Sequence, residues 1–255
     1  MSTLGWEPRL PLTAAEQHVD YPAHYNHVTD QRAGIEKRAA RPARQIAFAV
    51  AELGLAPIPK VDALSRALDS GLVKTMRFGY DQARAEIHAQ REQTLLASTV
   101  PDAGRFAEAA AGGLAAVRKL IADRARQAAE AIAAAALAAR LLETGDMDAL
   151  RLTVSRTTSR ALHTHVLELV GETLNLGRAA GALSFAQPPE FALRSEQLDK
   201  ATCDACTRLH GSIAQVGSAE FYDLMPPSGC YGGGRCRGIW VFSDSTAQVL
   251  VREAA

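Results

Sequence analysis

The chain has 255 residues, 47% of them hydrophobic and 22% charged, which describes a globular protein and excludes a disordered one. Basic and acidic residues number 28 each, so there is no bulk attraction to nucleic acid, and any such contact has to come from local patches. Aromatic residues make up 5%, too few for a typical β-sandwich and ample for a helical protein.

Residues 1–13 bear prolines, lack periodicity and have no apolar stretch behind a basic start. They predict an extended arm and no secretory signal, so the chain is expected to be made in the cytoplasm. Thr13-Ala14-Ala15-Glu16 has the spacing of a capping box, in which a hydroxyl serves the first free amides and a carboxylate reaches back. Pro22 is expected to break or restart the helix that begins there. A longer helix is predicted from about Ala23 to Glu52, kinked or divided at Pro42. Gly54 and Pro57-Ile58-Pro59 end it.

Leu64, Leu68, Leu72, Met76, Tyr80, Ala83 and Ile87 recur at steps of three or four, one apolar stripe along a helix from about Val61 to Ala97. A third helix is predicted to start at Pro101-Asp102 and to bury Leu114, Val117, Ile121, Ala128, Ile132, Ala135, Ala139 and Leu142. So many alanines imply close helix–helix contact. The longest apolar run, Ala131 to Ala139, is nine residues and far short of the roughly 20 that span a membrane. A fourth helix is predicted from near Asp146 to about Ala182, with Leu150, Val154, Leu162, Leu169, Thr173 and Leu176 along it. No strict heptad persists, which argues against a coiled coil.

After Pro188-Pro189, helical periodicity gives way to Gly, Cys, Pro and aromatic residues. Ile239 to Phe242 and Gln248 to Val251 read as short strands. The expected architecture is therefore mainly α: an arm at 1–13, a body of long antiparallel helices at 14–189, and a small zinc-stabilised α+β module at 190–255.

All four cysteines fall in that module. Cys203-Asp-Ala-Cys206 is a tight turn that aims two thiolates at one point. Cys230 follows after 23 residues and Cys236 after five more. Two turn-borne pairs supply the tetrahedral soft-ligand set that zinc prefers, and a module this small gains much of its folding energy from a metal. Disulfides fit a cytoplasmic origin poorly, and a thioredoxin-like redox pair would need a βαβ setting that is absent. The expected metal ligands are Cys203, Cys206, Cys230 and Cys236, with His210 as the substitute for Cys230. Four thiolates leave no open coordination position, so such a zinc is structural.

The ordered run Leu193-Arg-Ser-Glu-Gln-Leu-Asp199-Lys-Ala-Thr-Cys203-Asp-Ala-Cys206-Thr-Arg-Leu-His-Gly211 resembles the C-terminal signature of the phage minor head proteins, the Mu protein F-like head morphogenesis family. Asp199 stands where an Asp introduces the first cysteine pair, and Gly211 where the following turn ends. Pro226-Pro227 and Arg235-Cys236-Arg237 resemble the family's ending, as do Val170 to Ala180 and Leu12 to Glu16 upstream. The chain departs from the pattern where Gly234 replaces the first Cys of Cys-Arg-Cys and the usual His is missing.

The resemblance implies a minor structural protein of the virion head. It would be made in the host cytoplasm and associate, in multiple copies, with portal protein and capsid subunits during procapsid assembly. It would also make non-specific contact with packaged double-stranded DNA and none with membrane. Some relatives carry an effector domain after this module; the short stretch beyond Trp240 is expected to hold none.

Three basic runs stand out: Arg32, Lys37, Arg38, Arg41 and Arg44; Arg118, Lys119, Arg124 and Arg126; and Arg151, Arg156 and Arg160. Each reads either as phosphate contacts or as a solvated helix face paired with nearby acids such as Asp123, Glu130 and Glu143. The alternative function is accordingly a zinc-stabilised DNA-binding protein acting outside the particle. His163 and His165 are two apart and point away from each other on a helix. His24 and His27 are expected at the surface. No nucleotide-binding, nucleophile-elbow or metalloprotease motif is present, so no enzyme is expected.

Overall fold

A computed structural model of the chain describes residues 13, 15–53, 58–93, 104–142, 147–195, 204–223 and 238–245. Residues 1–12 of the expected arm, the anticipated strand at Gln248 to Val251 and three of the four cysteines lie outside them. Four long helices dominate: α1 (Tyr21–Leu53), α2 (Ile58–Gln93), α3 (Gly104–Leu142) and α4 (Met147–Leu183). Strands β1 (Phe191–Ser195), β2 (Ile213–Gln215) and β3 (Ile239–Ser243) form a small sheet, with short helices α5 (Asp204–Leu209) and α6 (Ala219–Asp223) between them. None of the described helices is long and apolar enough to cross a membrane.

The capping box forms as the spacing predicts. Glu16 N donates to Thr13 Oγ1 at 3.2 Å, and Thr13 N donates to Glu16 Oε2 at 2.8 Å. It caps only a single 3₁₀ turn, Glu16–His18. The long helix has its own start, where Asp20 Oδ1 accepts from Ala23 N at 2.9 Å and Pro22 occupies the first turn. Helix α1 then runs through Pro42 without dividing.

All seven residues of the stripe expected on α2 are buried. On α3, Ile121, Ala128, Ile132 and Ala139 are buried as expected, but Ala136 takes the core position in place of half-buried Ala135. On α4, Leu150, Val154, Leu162, Leu169 and Thr173 are buried and Leu176 is half-buried. Leu64, Leu68, Leu72 and Met76 of α2, with Ile121, Ile132 and Ala136 of α3 and Leu150, Val154 and Leu169 of α4, join Ile35, Ala39, Ile46 and Ala47 of α1 in one apolar core.

Helix α1 runs antiparallel to α2: His27 stacks on Phe78 at 3.9 Å, and Arg38 reaches Ser70 at 2.5 Å. Helices α2 and α4 run parallel and cross closely. A Cβ on Gly177 would stand 2.0 Å from Met76 O, one on Gly79 2.3 Å from Leu174 O, and one on Gly181 2.5 Å from Tyr80 O. Glycine is therefore required where these backbones touch, a packing role that α2's apolar periodicity does not reveal.

The sheet has the order β2-β1-β3, antiparallel throughout, with Ala192 opposite Ala214 and Phe242. Its two faces are covered by different parts of the chain. Ala192, Ala214, Trp240 and Phe242 pack with Ala83 and Ile87 of α2 and with Ala179 and Ala182 of α4. Leu193, Ile239 and Val241 pack on Ala15, Val19 and Tyr21. With both faces covered, every residue of β3 is buried, which explains why Ile239 to Ser243 shows no polar alternation.

Candidate metal ligands and the polar junction

Of the four expected zinc ligands, the described residues include Cys206 alone; Cys203, Cys230 and Cys236 lie outside them. Cys206 sits on α5 and is buried, 4% exposed. His210 follows one turn later, its amide donating to Cys206 O at 3.0 Å. The turn closes at Gly211, whose φ of 83° suits glycine and whose amide donates to Arg194 O at 2.8 Å. Among the described residues no group of three or more His, Cys, Asp or Glu side chains is placed to hold a metal.

Sequence reasoning does not find the polar junction that joins the sheet to the helices. Strand β3 is a sheet edge among the described strands, and an edge exposes backbone groups that need partners. Helix α4 supplies them with two side chains one turn apart. Asn175 Nδ2 donates to Gly238 O at 3.0 Å, and Trp240 N donates to Asn175 Oδ1 at 3.1 Å. Arg178 Nε donates to Trp240 O at 2.7 Å. The side chains of α4 thus stand where a further strand would.

Arg178 is fully buried and needs a counter-charge. Glu86 of α2 provides it, pairing with Nη2 and accepting from Nη1 at 3.1 Å, while Gln82 Oε1 accepts from Nη1 at 2.9 Å. Burial pushes the Glu86 carboxyl above its ordinary range, and the Arg178 charge and hydrogen bonds pull it part of the way back. Farther along the same edge, Arg91 holds Asp244 through two hydrogen bonds of 2.7 Å and donates to Gln187 O at 2.8 Å.

The opposite face of the sheet is tied to the N-terminal segment. Ser195 Oγ donates to Glu16 Oε1 at 2.6 Å and accepts from Tyr21 OH at 2.8 Å. The capping carboxylate therefore has a second partner, 179 residues away. Burial, reinforced by Glu16, raises the Tyr21 pKa well above its ordinary value and keeps the phenol a donor.

His24, expected at the surface, is instead 2% exposed. It sits 3.4 Å from Gln82 Oε1 and edge-on to Tyr25. Burial and the nearby Arg178 charge lower its pKa from 6.5 to about 3, so the ring is neutral. Its polarity hid it, because Gln82 of α2 and Arg178 of α4, which lie beside it in the fold, are far along the chain. His163 and His165 diverge as expected: His163 meets Glu36 of α1 at 2.9 Å, and His165 lies 3.9 Å from Glu168.

The three basic runs separate in the structure. In the second, Arg124 is buried between Glu168 and Glu172 of α4, and Arg126 pairs with Asp123 at 2.8 Å. In the third, Arg151 pairs with Asp148 at 3.7 Å, whereas Arg156 and Arg160 are exposed without a carboxylate within 4.0 Å among the described residues. The first keeps one internal pair, Arg32 with Glu36, and its other members have no carboxylate within 4.0 Å among the described residues. No protein-family model, curated protein or solved structure matches the chain, so its fold and its residues carry the functional reading by themselves.

Proposed function

We propose that this chain is a minor head morphogenesis protein of a tailed phage or phage-like particle, associated in several copies with portal and capsid subunits. The observation that carries the reading is the ordered C-terminal signature: Asp199, Cys203-x-x-Cys206, Gly211, Pro226-Pro227 and Arg235-Cys236-Arg237 in sequence. The local geometry around Cys206 supports it, since the buried thiol and the left-handed Gly211 give two of those positions a conformational reason.

In this reading the protein acts as a structural part and not as an enzyme. Cys203, Cys206, Cys230 and Cys236 hold a structural zinc, with His210 the substitute for Cys230. Zinc would fix the connections between the strands, while the long helices offer rigid surface for docking.

Mass spectrometry of density-banded particles tests the proposal. This chain is expected at a fixed ratio to the portal subunit, and its absence from every particle fraction would overturn the reading. Elemental analysis of the purified full chain tests the metal separately, with one zinc per chain expected. A stoichiometry near zero, with the cysteines reduced, contradicts the zinc assignment.

A further inference from the structure

We infer that the outer face of α1, together with the adjoining flank of α4, is a docking surface for the phosphate backbone of double-stranded DNA. The inference begins with which side chains reach solvent. Between Ile35 and Ala51 the exposed residues of α1 are Lys37, Arg38, Arg41 and Arg44, all basic. No Asp or Glu occurs between Glu36 and Glu52 on α1, or between Asp148 and Glu168 on α4. Arg156 and Arg160 are exposed within that acid-free stretch of α4. Among the described residues the partners these six side chains make are neutral: Arg38 donates to Ser70 Oγ at 2.5 Å, and Arg44 to Ala40 O at 3.3 Å.

The fold brings the two stretches side by side. Helix α1 is antiparallel to α2, and α2 is parallel to α4, so α4 runs antiparallel to α1. His163 touches Glu36 at 2.9 Å and sets the register. Moving back along α4 from His163 to Arg160 and Arg156 therefore follows α1 forward from Glu36 toward Arg41 and Arg44. Arg156 lies two helical turns before His163, on the same face.

Lys37 to Arg44 covers about 10 Å of helix axis, along which a duplex presents about six phosphates. Five of the six side chains are arginines, whose planar fork pairs with two phosphate oxygens at once. A protein partner would want an apolar or aromatic centre on this face. The exposed positions of α1 offer none, and Leu152 is the large apolar side chain exposed on the neighbouring part of α4. Charge without base-reading groups suits a backbone held without regard to sequence.

The inference rests on side-chain placement and stands apart from the particle reading: a chain that binds DNA yet is missing from particles keeps the first and loses the second. The test is fluorescence anisotropy of the full chain with two 25-base-pair duplexes of unrelated sequence. Equal affinity for both is expected, falling about 10³-fold between 50 and 200 mM salt for six phosphate contacts.

The triple variant Lys37→Gln/Arg41→Gln/Arg44→Gln is expected to lose at least tenfold and to flatten the salt slope by about 2.7. Arg156→Gln/Arg160→Gln, at the other edge, is expected to flatten it by about 1.8. The control Lys119→Gln/Arg126→Gln/Arg140→Gln removes the same charge from α3 and is expected to change affinity less than threefold. No duplex binding by the wild type at 50 mM salt overturns the inference. So does an equal loss in the control, or competition by polyglutamate as effective, charge for charge, as by unlabelled duplex, which would mark an acidic protein as the partner.

Discussion

In the helical body, α2 meets its neighbours through Leu64, Leu68, Leu72 and Met76, whereas at the sheet junction α4 meets β3 through Asn175 and Arg178. Both regions are buried. The first is held by apolar area, to which each side chain adds a share and from which any one can be trimmed at a limited cost. The second is held by pairings in which each buried polar group satisfies another. Removing one member there also strands its partner, so the junction is the more brittle of the two.

The largest effect is therefore expected at Arg178. Arg178→Met leaves Glu86 buried without its counter-charge and Trp240 O without its donor, and should cost about 3–5 kcal/mol in urea unfolding. Adding Glu86→Met should restore more than half of that loss, because the stranded carboxyl goes too. A double variant as unstable as the single would show that the loss comes from packing and not from the pairing.

Asn175→Ala comes next. It leaves the Gly238 carbonyl and the Trp240 amide unsatisfied, for an expected loss of about 3 kcal/mol in the same assay. Gly177→Ala carries the comparison into the body, where shape sets the limit instead of polarity. Its Cβ would sit 2.0 Å from Met76 O, so α2 and α4 must separate. The overpacking outweighs the helix-propensity gain of about 1 kcal/mol and leaves a net loss of about 2 kcal/mol. A stabilised variant would show that the two helices do not cross there.

A further effect depends on pH. The unfolded chain takes up a proton at His24 near pH 6.5 and the folded chain only near 3, so between those values protons favour the unfolded state. Stability should fall as pH drops through that window, by about 1.4 kcal/mol per unit from this residue at full slope. His27, His88 and His165, whose pKa values are also lowered by burial, act in the same direction. His24→Asn should flatten the fall by about one proton's worth between pH 6 and 4. An unchanged slope would show that His24 is protonated inside the fold.

The same contrast decides what could be read from the sequence. The stripe on α2 and the strand at Ile239 to Phe242 were legible because apolar spacing along one segment reports its own burial. The capping box was legible too, since Thr13 and Glu16 are three residues apart. Strand β1 was not, because Phe191 to Ser195 is short and its partners lie far along the chain. Arg178 reads as an ordinary surface arginine on a helix; only the carboxylate of Glu86, 92 residues away, makes its burial possible. His24 was misplaced for the same reason. Of the four cysteines that the spacing marks as expected zinc ligands, Cys206 is the one whose surroundings the structure describes.

The central claim is that β3 belongs to the same cooperative unit as α4, tied through side chains in place of a further strand. Native-state hydrogen exchange of the Trp240 amide tests it most directly, since that N–H donates to Asn175 Oδ1. The account predicts that this amide opens with the free energy of the central α4 amides, near Val166 to Val170, and that Asn175→Ala frees it while the α4 amides stay protected relative to it. Fast exchange at Trp240 in the wild type, beside a protected α4, would contradict the account and make the sheet a separately opening unit.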